Sequence, residues 1–115
     1  MTVLMVTRGR DFGDRAFVFE VLDRVRTKCG CSELIHGGVK GVDTLAGHWA
    51  KARGIETRIF VPDYREKKAP LKRDIRMLEQ KPDLLGAFPG RTDTAHTKRH
   101  AQLRGIETVL AMSVT

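Results

Sequence analysis

Cysteine is scarce in this chain. There are two in 115 residues, Cys29 and Cys31, with one glycine between them. Residues so close do not suit a structural disulfide, which needs its own Cα separation and Cβ directions. A metal site takes more ligands at better spacing. The pair reads as reduced thiols at a helix end. Long apolar runs are also absent, and none reaches the roughly 20 residues that span a bilayer. The opening MTVLMVT is too short for a signal-peptide core, has no basic residues ahead of it and runs straight into RGRD. It is expected to be a first strand, the protein cytoplasmic and without a membrane partner. No repeat, low-complexity stretch or domain boundary shows. RGIETR (53–58) and RGIETV (104–109) echo one another, and both read as the junction of a helix stop and a strand. Of the four histidines, His96 and His100 stand four apart on an expected helix and could share an ion. No third ligand accompanies them, so no metal site is expected.

What is present is an ordinary globular composition, 41% hydrophobic and 30% charged, so one folded domain over residues 1–115 is expected. That length supports a modest core without staples. The net charge of +7 suits a phosphate-bearing partner, or serves solubility alone. Position therefore matters more than the total.

TVLMV (2–6) reads as a strand. A helix follows from an Asp14 N-cap, with Val18, Val21, Leu22, Val25 and Cys29 on one face and Gly30 as its stop. ELIH (33–36) is a short strand. HGGVKGVD (36–43) is a glycine loop opening a helix from about Asp43 to Arg53, with Leu45, Ala46, Trp49 and Ala50 on one side. IETRIFV (55–61) is a strand ended by Pro62. A polar loop leads to a helix carrying Leu71, Ile75 and Leu78. DLLGAF (83–88) is a strand, Thr94 to Arg104 a helix, and GIETVLA (105–111) a last strand. This βαβαβαβαβ order predicts an α/β, Rossmann-like fold, a mostly parallel five-stranded sheet with helices on both faces. Ligands of such sheets sit beyond the carboxyl ends of the strands. Four loops qualify: 7–13, 36–43, 62–72 and 88–94.

The glycine loop lets backbone turn tightly and lets a bulky anion approach amide N–H groups, with the next helix N-terminus facing the same spot. Lys40 adds a charge. The spacing is neither GxGxxG nor a Walker loop, and a tight turn whose glycines only allow packing is the plainer alternative. RGRDF after the first strand and FPGRTDTA after the fourth add glycine, arginine and hydroxyl groups at the same end. Trp49 shares a face with Leu45 and reads as core. Phe12 either stacks on a base or anchors its loop. His36 either bonds a ligand or orders its loop. The segment 65–76 has six basic and two acidic residues bordering these loops. It lacks the interleaved aromatics of single-strand channels.

Together, RGRDF, HGGVKGVDTLAGHWAKARGI, PLKRDIRML and KPDLLGAFPGRTDTA resemble the SLOG superfamily, the group related to Smf/DprA and LOG proteins, and within it the small YspA-like, YpsA-related branch. The resemblance covers nearly the whole chain. It implies a Rossmann-like domain binding a nucleotide or nucleotide-derived ligand, ADP-ribose-like ligands included. It carries over Gly9, Arg10, Asp11 and Phe12 from the first loop, and His36, Gly37, Gly38, Gly41 and Asp43 from the second. It adds Pro70, Arg73 and Met77 from the third element, with Asp74 in place of an asparagine, and Pro89, Gly90 and Thr94 from the fourth. Arg8, Arg91 and Asp93 stand where the family has glycines. Thr97 stands where the phosphoribohydrolase members have a glutamate, which argues against N-glycoside cleavage by that route. Asp11 and Asp43 remain weak catalytic candidates. The expected function is binding of a nucleotide-type phosphate at the strand ends, as in a sensor module. The alternatives are a nucleosidase or phosphoribohydrolase acting on a nucleoside monophosphate, and DprA-like nucleic-acid binding. Relatives that assemble make a homo-oligomer an expectation as well.

Overall fold

A computed structural model describes residues 2–7, 14–38, 41–88 and 93–110; the side chains of 93–96 and 110 lie outside the described set. In chain order the elements are β1 (Val3–Thr7), α1 (Arg15–Cys29), β2 (Glu33–His36), α2 (Val42–Ala52), β3 (Glu56–Ile59), α3 (Ala69–Leu78), β4 (Leu84–Ala87), α4 (Asp93–Leu103) and β5 (Glu107–Leu110). The sheet order is β3-β2-β1-β4-β5, and all four pairings are parallel. This is the expected α/β architecture.

Short-range chemistry sets the element ends. Asp14 caps α1, its carboxylate accepting the Phe17 N–H at 3.0 Å. Gly30 stops that helix at φ 76°, a conformation glycine adopts without strain. The buried stripe of α1 is Val18, Leu22 and Val25. Val21 is half-buried, and Cys29, expected on that stripe, is exposed as the last helical residue. α3 opens on Pro70 in its first turn, where the missing N–H costs nothing. β3 was expected to run to Val61 and stops at Ile59. Its partner β2 ends at His36, whose carbonyl takes the last ladder bond, from Phe60 N–H at 2.9 Å. Pro62 has no N–H to continue it.

Both faces of the sheet are covered, so the central strands are apolar on both sides. Leu4 and Val6 face α1 and α2, packing with Leu22, Leu34, Ala46 and Trp49. Met5 faces α3 and α4 and packs with Ile35, Met77, Leu85 and Ala101. The chain runs outward from β1 to β2 and β3, then crosses back to lay β4 and β5 on the other side of β1. That reversal puts the switch point of the sheet at β1, between β2 and β4, where open α/β sheets bind ligands.

Candidate functional site

At the carboxyl end of β2 the chain enters the glycine loop, and the Gly37 peptide is held from both sides. Its N–H donates to the Asp43 carboxylate at 3.0 Å. Its carbonyl accepts from Arg73 Nη1 at 2.9 Å. Asp43 comes from the first turn of α2 on one face of the sheet, Arg73 from α3 on the other. Gly37 has to be glycine for a reason internal to the protein. A Cβ there would stand 2.6 Å from the Arg73 guanidinium carbon. The space the sequence suggests for an approaching anion is filled at this residue by an arginine of the same chain.

Arg73 is 3% exposed, and its Nε donates to Asp74 at 2.7 Å. Asp74 is 2% exposed and its second oxygen accepts from the Thr97 hydroxyl at 2.9 Å. Thr97, fully buried on α4, thus closes a chain of contacts from β2 through α3 to α4. A buried pair of charges is tolerable only when its polar atoms are hydrogen-bonded in this way. Asp74, which stands in place of the family's asparagine, therefore has its charge met by Arg73 inside the chain.

His36 completes the turn. Its Nδ1 accepts the Gly38 N–H at 3.0 Å, which assigns the proton of the neutral ring to Nε2. Burial pushes its pKa down from 6.5 to about 4, and the nearby Arg73 charge pushes the same way. His36 therefore orders the loop as a neutral acceptor. Gly47 on α2 lies against the ring: a Cβ there would meet Nε2 at 3.3 Å. Gly38 is exposed at φ 69°, and Gly41 caps α2 at φ 88° without a side-chain bond. The N-terminus of α2, with its partial positive charge, opens at this end of the sheet.

The structure thus brings together His36, Gly37, Gly38, Gly41, Asp43, Arg73 and Asp74, and adds Thr97 as a structural partner. Gly9, Arg10, Asp11, Phe12, Lys40, Pro89 and Gly90 lie outside the described residues, as do Arg8 and Arg91. Thr94 and Asp93 fall on α4 with side chains outside the described set. Two features escaped sequence reasoning. One is the use of Arg73 and Thr97 as internal braces. The other is an α1–α2 tie, in which Asp23 accepts from Trp49 Nε1 at 2.8 Å and from Arg53 Nε and Nη2 at 3.0 and 2.9 Å. The Arg53 bonds, then Trp49, hold the Asp23 carboxyl below its usual range. Trp49 itself is fully buried, as its face predicts. In the basic run, Glu66 pairs with Lys72 and Arg76, and Asp63 with Arg65. Among the described residues no cluster of three or more His, Cys, Asp or Glu could hold a metal ion. No helix among them is long and apolar enough to cross a membrane.

A parallel sheet with a switch point at β1 and a glycine loop opening α2 defines a Rossmann-like class. Within that class the chain belongs to the YspA, cpYpsA-related SLOG family, whose model matches residues 2–66. It is similar to the Gene 61 protein of Mycobacterium phage D29, 31% identical over 119 residues that span 95% of each chain. The X-ray structure of TM1055, a structural genomics target, superposes with a TM-score of 0.72 at 20% identity, over 94% of this chain and 72% of that one. That second likeness speaks for the fold.

Proposed function

We propose that this protein binds a nucleotide or nucleotide-derived phosphate ligand at the carboxyl ends of β1, β2 and β4. Family membership favours a nucleotide-related ligand. The observation that carries the reading is the two-sided hold on Gly37, which fixes a glycine turn directly before the N-terminus of α2. A turn already held at Gly37 and Gly38 loses little entropy there when a ligand docks. A helix N-terminus favours an anion at that place. The Gly37 and Gly38 N–H groups are taken by Asp43 and His36. In this reading the ligand anion is met by the N-terminus of α2, and Gly9, Arg10, Lys40, Pro89, Gly90 and Thr94 remain its further candidate contacts from the sequence. Arg73 in this reading positions the loop, and Asp43 and Asp74 are scaffold carboxylates. Nucleic-acid binding through residues 65–76 is the weaker reading, since Arg65, Lys72, Arg73 and Arg76 already have carboxylate partners in the chain.

Mass spectrometry of small molecules released from the gently denatured protein tests the proposal, with thermal shifts against AMP, ADP-ribose, NAD and cyclic nucleotides. A stoichiometric nucleotide or clear stabilisation by one of these is the expected result. No released nucleotide and no shift across the panel would overturn it.

A further inference from the structure

Among the described residues, four large hydrophobic side chains are notably exposed, and three of them lie within six positions: Ile59 (59%), Val61 (68%) and Tyr64 (76%). They belong to β3 and the segment after it. β3 is an edge strand. Natural edges are blunted by shortness, by charged side chains, proline or a bulge. Glu56–Ile59 is short and carries one charge of each sign, but has no proline or bulge, and its ladder with β2 runs in unbroken register.

The strand has a second property. Residues 55–59 read Ile-Glu-Thr-Arg-Ile, a palindrome with opposite charges at mirrored positions. Phe60 N–H points inward to His36 O. In a parallel strand the backbone groups alternate, so those of Thr57 and Ile59 point outward, away from the sheet. A second copy running antiparallel about a two-fold axis at Thr57 would receive these bonds. It would place Glu56 opposite Arg58 of the other copy, twice, and Ile55 opposite Ile59, twice. Moving the axis by one residue would set Arg58 against its own copy, a repulsive pairing. The opposite edge of the sheet gives a control. β5 and the residue before it begin with the same Ile-Glu-Thr, at 106–108, then continue Val109–Leu110. An axis at Thr108 leaves Glu107 facing a valine, so β5 lacks the match.

We propose that two copies of this chain pair through β3, antiparallel about Thr57, joining their sheets into one. Arg58 already contacts Glu33 and Gln80 within its own chain, and Glu56 of the second copy completes that cluster. Two-fold contacts of this kind are self-complementary by construction.

The test is sedimentation velocity on the full chain over a dilution series. The wild type is expected as a dimer that dissociates on dilution. Glu56→Arg makes both charge pairs repulsive and should raise the dissociation constant at least about tenfold. Ile59→Lys, at a mostly exposed position, should do the same while the far-UV circular dichroism stays that of the wild type. The decisive arm mixes Glu56→Arg with Arg58→Glu. Each is monomeric alone, and the mixture forms a heterodimer because every facing pair is then opposite in charge. A wild type that stays monomeric, or a dimer that survives both Glu56→Arg and Ile59→Lys, overturns the proposal. If Arg58→Glu does not fold, those two variants alone decide it.

Discussion

On the face covered by α1 and α2, the sheet meets Val18, Leu22, Val25, Ala46 and Trp49, an apolar layer whose charged tie, Asp23 with Arg53, is kept to the rim. Across the sheet, α3 buries Arg73 and Asp74 beside Met77 and Leu78, and α4 supplies Thr97 to them. The first layer is held by area removed from water, which is non-directional and tolerant. The second mixes that with a directional network whose members depend on one another. Both reach the loop after β2, the first through Asp43 to the Gly37 N–H and the second through Arg73 to the Gly37 carbonyl. The difference is that only on the α3 side does that contact belong to a buried, charged network.

The largest expected effect breaks the network. Asp74→Ala strands the Arg73 charge in the interior and should cost about 4 kcal/mol in urea unfolding. Leu22→Ala in the opposite layer should cost about 3 kcal/mol. The two variants should separate in amide exchange. The Gly37 N–H should open ahead of global unfolding in Asp74→Ala alone, and equal opening in both would erase the contrast. Next comes pH. With its folded pKa near 4 and its ordinary value at 6.5, His36 is protonated first in the unfolded chain as pH falls. Stability is therefore full above about pH 6.5, declines towards pH 4 and levels off below, a loss of about 3 kcal/mol. His36→Gln should flatten that slope, and a slope as steep as the wild type's would assign it to another group. The smallest effect is steric. Gly37→Ala should cost about 2 kcal/mol through its clash with Arg73. In an Arg73→Met background the same change should cost about 1 kcal/mol less. Strict additivity of the two would mean that the pair does not touch.

The fold was legible because strand and helix periods alternate cleanly and because Asp14, Gly30 and Gly54 punctuate them. The strand at 33–36 was legible to the residue. The face of α3 was not. Its apolar residues Leu71, Ile75 and Leu78 suggest one stripe, whereas the buried side is Ala69, Arg73, Asp74, Met77 and Leu78. Hydrophobic patterning counts charged residues as surface, and two charges that neutralise each other defeat it. The spacing of 69, 73 and 77, with Ala and Met flanking the arginine by one turn, was the available signal. Within the site, the glycine loop was found from its spacing and family resemblance. The partner that fills the space over Gly37 stands 36 residues further along, and no local pattern joins the two.

The hold on Gly37 also has an order in time. A chain being synthesised from its amino end makes the glycine loop and Asp43 well before Arg73. The stretch matched by the family model, residues 2–66, contains the loop and the carboxylate on one side of it and stops short of the arginine on the other. Until α3 has emerged, the Gly37 carbonyl lacks the Arg73 donor that holds it in the complete fold. The turn in front of α2 then takes its final shape only when the middle of the chain has arrived. The two sides of the hold on Gly37 are thus made at different times, six and 36 residues after the glycine they fix.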